Sequence, residues 1–332
     1  MPPIPLILDV DTGVDDALAL LYAVASPEVE VIGATCVMGN VKVDQVTQNT
    51  LAILELVGRT DVEVARGARK PLVRDHEPVP IVHGERGIGH ATLPPPTRAP
   101  SEREAARFIV ETVHERPGEI LLVATGALTN VALALEAEPK LFELLRGFAL
   151  MGGAYATAGN STPVAEFNVW TDPEAAARVF DAASGLPEDR LPTCVGLDVT
   201  ERAMLSQDDL DEVCAVAPGS PVGRFLQDAV SFYIDFYVRY EGSTGASMHD
   251  PLAVAIAIDP SLARLETTRV EVETDGTWTR GQTVTDLGGI RHSPWPGEWR
   301  PTDNARVALE VDAAVFIERL KERLGSLVAA SA

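Results

Sequence analysis

In its first half the chain alternates strand-length apolar runs with segments whose apolar residues recur at helical spacing. That alternation restricts the fold more than any other feature. Ile4–Val10 (IPLILDV) is apolar and closed by acidic residues and Gly13. Ala17, Leu20, Leu21 and Val24 then repeat at i, i+3, i+4 and i+7, so 16–25 reads as a helix. Strands are expected at 29–37, 62–65, 120–125 and 148–151, and helices at 43–57, 102–114, 128–137 and 173–180. The pattern predicts an α/β fold: an open, mostly parallel, doubly wound (Rossmann-like) sheet with helices on both faces.

Residues 67–100 break the rhythm. Pro, Gly, His and Arg are frequent there, no periodicity lasts, and an irregular connection of that length is expected to be a lid or binding loop. Beyond residue 200 the signals loosen. A long helix is expected over 220–240, a flexible loop over 241–247 (EGSTGAS) and a short apolar helix over 251–258. Strands at 270–273 and 282–285 and a closing helix over 313–327 follow. No low-complexity linker or repeat divides the chain, so 1–332 is expected to form one domain with loop insertions.

Charge and cysteine content exclude several classes. With 27 Lys and Arg against 49 Asp and Glu, the net charge is −22. Such a chain lacks the basic surface that grips phosphate backbones, and the same charge opposes docking on an anionic membrane. Neither nucleic acid nor membrane is an expected partner. The apolar stretch 17–25 is far short of the ~20 residues a membrane span needs, and the Met-Pro-Pro-Ile-Pro start lacks the basic region of a secretory signal. Cys36, Cys194 and Cys214 are far apart and not in CxxC spacing, which fits a reducing compartment rather than a disulfide framework or zinc cluster. A soluble, cytoplasmic protein is expected.

The segment Asp9-Val10-Asp11-Thr12-Gly13-Val14-Asp15-Asp16 puts four carboxylates where the first strand passes into the first helix. Asp9 and Asp11 alternate along the strand end, so both side chains are expected on one face. Asp15 and Asp16 diverge by roughly 100° in the first helical turn. The helix macrodipole accounts for Asp15 or Asp16, but not for Asp9 and Asp11 as well. Crowded anions need a positive partner, and a hard divalent cation with oxygen ligands suits them. An EF-hand does not fit, because the glycine falls fifth and a strand precedes the loop.

Other strand ends are polar too: Met38-Gly39-Asn40, Thr125-Gly126, and Gly152-Gly153-Ala154-Tyr155 with Asn160 beyond. Ligands of open α/β sheets bind outside the carboxyl ends of the strands, so these segments share one rim. Taken singly, Glu166 reads as an exposed loop charge, Asn168 as a turn residue and His249 as a structural histidine. Asp250 reads as an N-cap with Pro251 at the first helical position, a task compatible with metal ligation.

Collectively these residues form a recognisable set. DVDTGVDDA (9–17), VMGN (37–40), HGERGIG (83–89), ATGALTN (124–130), LMGGAY (150–155), VAEFNVWTDPEAA (164–176) and MHDP (248–251) occur in this order. Over most of its length the chain resembles the nucleoside hydrolases, specifically the inosine–uridine-preferring nucleoside N-ribohydrolases. The resemblance implies calcium-dependent hydrolysis of the N-glycosidic bond of purine or pyrimidine ribonucleosides, a role in nucleoside salvage, and a homodimer or homotetramer. By motif position, Asp11, Asp16, Asp250 and the Thr125 carbonyl would hold Ca²⁺, and Asp11 would also take a proton from the attacking water. Asp15, Asn40, Asn160, Glu166 and Asn168 would bind ribose. His249 would protonate the departing base, His83 would reach the base pocket, and Asp9 would support the metal site.

The chemistry is consistent with those roles. Ribosyl C–N cleavage builds positive charge on the sugar, which carboxylates stabilise. A divalent cation lowers the pKa of water, and the base leaves more readily once protonated. Two departures concern base preference. The 240–247 segment is glycine-rich where relatives often carry an aromatic, leaving Phe236, Tyr237 and Tyr240 as substitutes, and Trp170 stands where an aliphatic residue is common. Two alternatives compete. DVDTG also fits a haloacid-dehalogenase-like phosphohydrolase, but Gly13 stands where Thr or Val is wanted and the four lysines offer no clear candidate. A non-catalytic nucleoside- or ribose-binding protein would need neither the base Asp11 nor the acid His249.

Overall fold

Alternate residues of β1 (Ile4–Val10) face opposite ways: Leu6, Leu8 and Val10 enter one apolar cluster and Ile7 another, as the two-residue period of a strand requires. β1 is therefore covered on both faces. It lies inside an eight-stranded sheet in a computed structural model that describes residues 2–76, 78–288 and 302–332.

The alternation continues with α1 (Val14–Val24), β2 (Val29–Cys36), α2 (Val43–Leu56), β3 (Glu63–Arg66), α3 (Pro80–His83) and α4 (Ala105–Glu115). β4 (Leu121–Ala124), α5 (Thr129–Ala137), α6 (Leu141–Leu144), β5 (Gly147–Met151), α7 (Phe167–Thr171) and α8 (Pro173–Ala182) follow. The later part comprises β6 (Thr193–Val195), α9 (Leu197–Thr200), β7 (Met204–Leu205), α10 (Gln207–Ala215), α11 (Pro221–Phe236), β8 (Ala246–Ser247) and α12 (His249–Ile258). β9 (Ala263–Thr268), β10 (Val270–Val272), β11 (Thr283–Thr285), β12 (Ala305–Val311) and α13 (Ala313–Ala330) complete it.

The main sheet runs β3-β2-β1-β4-β5-β6-β12-β9, parallel except for the antiparallel edge strand β9. Helices α1, α2, α11, α12 and α13 pack in the first cluster and α4, α5, α6 and α8 in the second. This is the doubly wound α/β architecture that the alternation predicts. The chain moves outward from β1 through β2 to β3, then returns past β1 to begin β4. Strand order therefore reverses between β1 and β4, the place where such sheets open a crevice for ligands.

Expected elements through α8 are present, with ends shifted by a few residues. β6, β9 and β12 were not legible. β6 is only three residues long, and β12 (ARVALEV) carries charges because it joins β6 through a short register at Arg306 and Val307. The strands expected near 270 and 283 pair with each other as β10 and β11, outside the main sheet. The long helix expected over 220–240 is α11, with Ser220 capping it through Gly223 N, and then changes to a π-helical turn over Tyr237–Glu241. Among the described residues, no helix is long and apolar enough to cross a membrane.

Leu8 has no exposed surface in the middle of this sheet. Leu8→Ala is expected to lower the unfolding free energy by about 2–5 kcal/mol, through lost burial and the cavity left behind. Urea denaturation of the two proteins measures the difference.

Candidate active site

After Val10 the chain leaves strand geometry and turns through Asp11-Thr12-Gly13 into α1. Asp16, in the first turn of α1, folds back to accept hydrogen bonds from Gly13 N (2.8 Å) and Asp11 N (3.2 Å). It thereby satisfies amides at the helix start that have no partner within the helix. The same carboxylate accepts from Thr125 Oγ1 (2.8 Å) at the end of β4 and from Asn40 Nδ2 (3.3 Å) after β2. Asp11 Oδ2 accepts from Asn40 N at 2.8 Å. A Cβ on Gly39 would collide with that Asp11 carboxylate, so a side chain is excluded there by a neighbour rather than by backbone angles.

Asp15 points the other way. Its Oδ2 accepts from Tyr233 OH at 3.3 Å, while its buried Oδ1 has no hydrogen-bond partner and lies 3.8 Å from His83 Nδ1. Asp250 arrives from α12. That helix begins two residues earlier than expected, at His249 with Met248 as N-cap, so Asp250 is not the cap and its carboxylate stays free of that task. Carboxylate oxygens of Asp15, Asp16 and Asp250 lie within 4.8 Å of one another, and Asp11 adjoins Asp16. Burial, followed by mutual repulsion, holds the carboxyls of Asp11 and Asp250 well above the usual range. The same two causes push Asp15 up to about 7, and burial raises Asp16. Among the described residues, no Lys or Arg lines the cavity to offset this charge. An all-oxygen set with an unpartnered buried carboxylate oxygen fits a hard divalent cation.

Asp9 does not share this space. Its Oδ1 accepts from Thr35 Oγ1 (2.5 Å) and Asn130 Nδ2 (2.7 Å), and burial lifts its carboxyl to about 7. The one-face expectation for Asp9 and Asp11 fails because the strand ends between them. Asp9 acts below the rim, and its carbonyl receives Thr125 N at 2.8 Å.

Glu166 is buried, not an exposed loop charge. It caps α7 by accepting from Asn168 N (2.8 Å) and Val169 N (3.1 Å), and also takes Gly153 N (2.9 Å). Asn168 Nδ2 donates to the Thr125 carbonyl at 2.8 Å and to Met151 O at 3.2 Å. Asn160 lies at the mouth and accepts from Phe167 N. His83, at the end of α3 within the long 67–100 connection, is buried; its Nδ1 accepts from Val14 N at 3.1 Å and its ring stacks on Tyr233. His249 bridges Tyr237 OH at Nε2 (2.7 Å) and Thr200 Oγ1 at Nδ1 (2.8 Å). Burial depresses His249 to about 4 and His83 to about 3, so both imidazoles are neutral near pH 7.

The cavity so formed has a volume of about 310 Å³. Asp11, Asp15, Asn40, His83, Thr125, Asn160, Glu166, Asn168, His249 and Asp250 all line it, and Asp16 lies fully buried in the adjoining cluster. Phe236, Tyr237 and Trp170 line it as well, whereas Tyr240 is exposed and lies outside the lining. Tyr233, Thr200 and Glu241 were not singled out in the sequence. They sit on helices or strand ends whose approach to the rim depends on packing.

The profile of the family described as inosine-uridine preferring nucleoside hydrolase matches residues 6–318. The chain belongs to this family. It is 38% identical over 322 residues to the pyrimidine-specific ribonucleoside hydrolase RihA of Citrobacter koseri, covering 97% of this chain and 98% of the relative. It is 37% identical over 326 residues to uridine nucleosidase 1 of Arabidopsis thaliana, covering 96% and 92%. The solved purine-preferring ribonucleoside hydrolase from Gardnerella vaginalis superposes with a TM-score of 0.89 at 35% identity, covering 98% and 99% of the two chains. This nucleoside hydrolase is thus an enzyme of the N-glycosidase type, with a buried aspartate cluster able to hold a metal ion.

A pH dependence follows from the cluster. Carboxyls raised in the folded state bind protons that the unfolded chain releases, so their stabilisation is complete below the unfolded pKa and is lost as pH rises through the folded value. For Asp15 the window runs from the ordinary aspartate value of 3.8 to about 7, and Asp9, below the rim, follows the same course. Chelator-treated enzyme is expected to be more stable in urea at pH 5 than at pH 8, with an added divalent cation removing most of the difference. An unchanged midpoint across that range would contradict the electrostatic account.

Proposed function

We propose that this nucleoside hydrolase cleaves purine and pyrimidine ribonucleosides to ribose and free base, with Ca²⁺ at the aspartate cluster. The juxtaposition of that cluster with the His249–Tyr237 pair across one cavity carries the reading. Asp11, Asp16, Asp250 and the Thr125 carbonyl would hold the ion, which when bound supplies positive charge and lowers the pKa of water. Asp15 adjoins that set and keeps one oxygen for a ribose hydroxyl.

Asp11 accepts the proton of the attacking water. Asn40, Asn160, Glu166 and Asn168 orient the sugar through its hydroxyls, and the carboxylates stabilise the positive charge that develops on the ring. His249 is neutral at rest. Negative charge growing on the departing base favours its protonated form, and the Tyr237 hydroxyl on Nε2 lies in place to pass a proton onward. His83 lines the same cavity, stacked on Tyr233 and 3.8 Å from Asp15, where the sugar and base join. The phosphohydrolase alternative loses support because no lysine lines the cavity among the described residues. A cytoplasmic location and a homodimer or homotetramer remain part of the proposal; the buried thiols of Cys36 and Cys194 suit the former, and light scattering tests the latter.

Ribose release from inosine, uridine, cytidine and adenosine tests the activity, and no release from calcium-loaded protein overturns it. Asp11→Ala is expected to reduce kcat roughly 100-fold or more. His249→Ala is expected to depress turnover of inosine and uridine while sparing p-nitrophenyl riboside, whose leaving group needs no proton. Equal losses on both substrate types would remove His249 from leaving-group activation.

A further inference from the structure

Glu241 is the lining carboxylate that none of these roles uses. It ends the π-helical turn Tyr237–Glu241, which closes at Gly242 in the left-handed region (φ 66°). π-Turns interrupt helices frequently at functional sites. Tyr233, Tyr237 and Glu241 are spaced four apart, so they share a face. Tyr233 touches Asp15, and Tyr237 touches His249. Each four-residue step advances about 6 Å along a helix. Glu241 therefore stands one step further from the aspartate cluster, along the direction a base takes when its ribose sits on that cluster.

The surroundings leave the carboxylate available. Among the described residues, none forms a hydrogen bond or ion pair with Glu241, and no Lys or Arg lines the cavity. Glu241 is an exposed residue, and partial desolvation on the cavity side raises its carboxyl, with no cation offsetting it. Glu201, also exposed, feels the charge of Glu241 and adds a second negative group on that side.

A carboxylate accepts hydrogen bonds and cannot donate them. The edge of a base farthest from its glycosidic nitrogen bears an amino group in cytosine and adenine, but a keto oxygen in uracil and hypoxanthine. An amino group pairs with a carboxylate, as Asp and Glu pair with cytosine N4 in nucleic-acid recognition. A keto oxygen is repelled and leaves the acceptor unpaired. We propose that Glu241 reads this far edge and biases the enzyme toward amino bases, cytosine over uracil and adenine over hypoxanthine. The proposal rests on the nucleoside-hydrolase reading.

The test compares kcat/KM for cytidine with uridine, and for adenosine with inosine, in wild type, E241Q and E241A. The wild type is expected to favour the amino partner in each pair. E241Q, whose amide both donates and accepts, is expected to narrow each ratio by about 10-fold, the scale of one hydrogen bond to a charged group. A wild-type preference for the keto partner, ratios unmoved in both variants, or equal loss on all four nucleosides overturns the role. If the wild type cleaves none of them, the hydrolase reading fails by itself. Calorimetric binding of cytidine and uridine to wild type and E241Q then decides the Glu241 proposal by the same ratios.

Discussion

Four carboxyl groups meet above the β1–β4 switch point and, among the described residues, no Lys or Arg lines the cavity beside them. Burying unpaired negative charge costs several kcal/mol per group, so such a cluster persists only when protonated or paired with a cation. The raised carboxyl pKa values are the first of those solutions, and an all-oxygen cation site is the second. Much of the surrounding structure serves to hold this arrangement. Asn40, Thr125 and the amides of Asp11 and Gly13 donate into it, and Gly39 leaves room for Asp11.

The functional side chains also build the elements that carry them. Asp16 closes the start of α1, Glu166 caps α7, and His249 and Asp250 form the first turn of α12. Asp16 and Glu166 are oriented by backbone amides that a rotamer change would release, and His249 by the hydroxyls of Tyr237 and Thr200. A site made from helix starts at strand ends is therefore stiff without dedicated scaffolding. Asp9 extends the same logic one level down, joining β1, β2 and α5 through Thr35 and Asn130 while its carbonyl positions Thr125.

Local pattern and tertiary packing divide the legible from the hidden. The β-α alternation appears in the sequence because each strand of the inner sheet is buried on both faces and each helix on one. β6, β9 and β12 escape it. The first is too short to show a period, and the others lie toward an edge where charge is tolerated. The cap role expected for Asp250 falls two residues earlier, on Met248, since a proline early in a helix does not say which preceding residue begins it. Glu166 read alone resembles a surface charge, because burial is not a property of a tripeptide.

The sequence by itself determined the sheet class, the acidic corner and its polar companions, and the family whose motifs they match. These are contiguous signals, carried by spacing and residue type along the chain. Tertiary structure alone decided that Asp15 faces Tyr233, that Tyr237 holds His249, and that Glu241 lines the cavity while Tyr240 does not. Those relations join α11 to α1 and α12 across more than a hundred residues in one case and a π-helical turn in another. No periodicity records the distance between helices that only their shared core brings together.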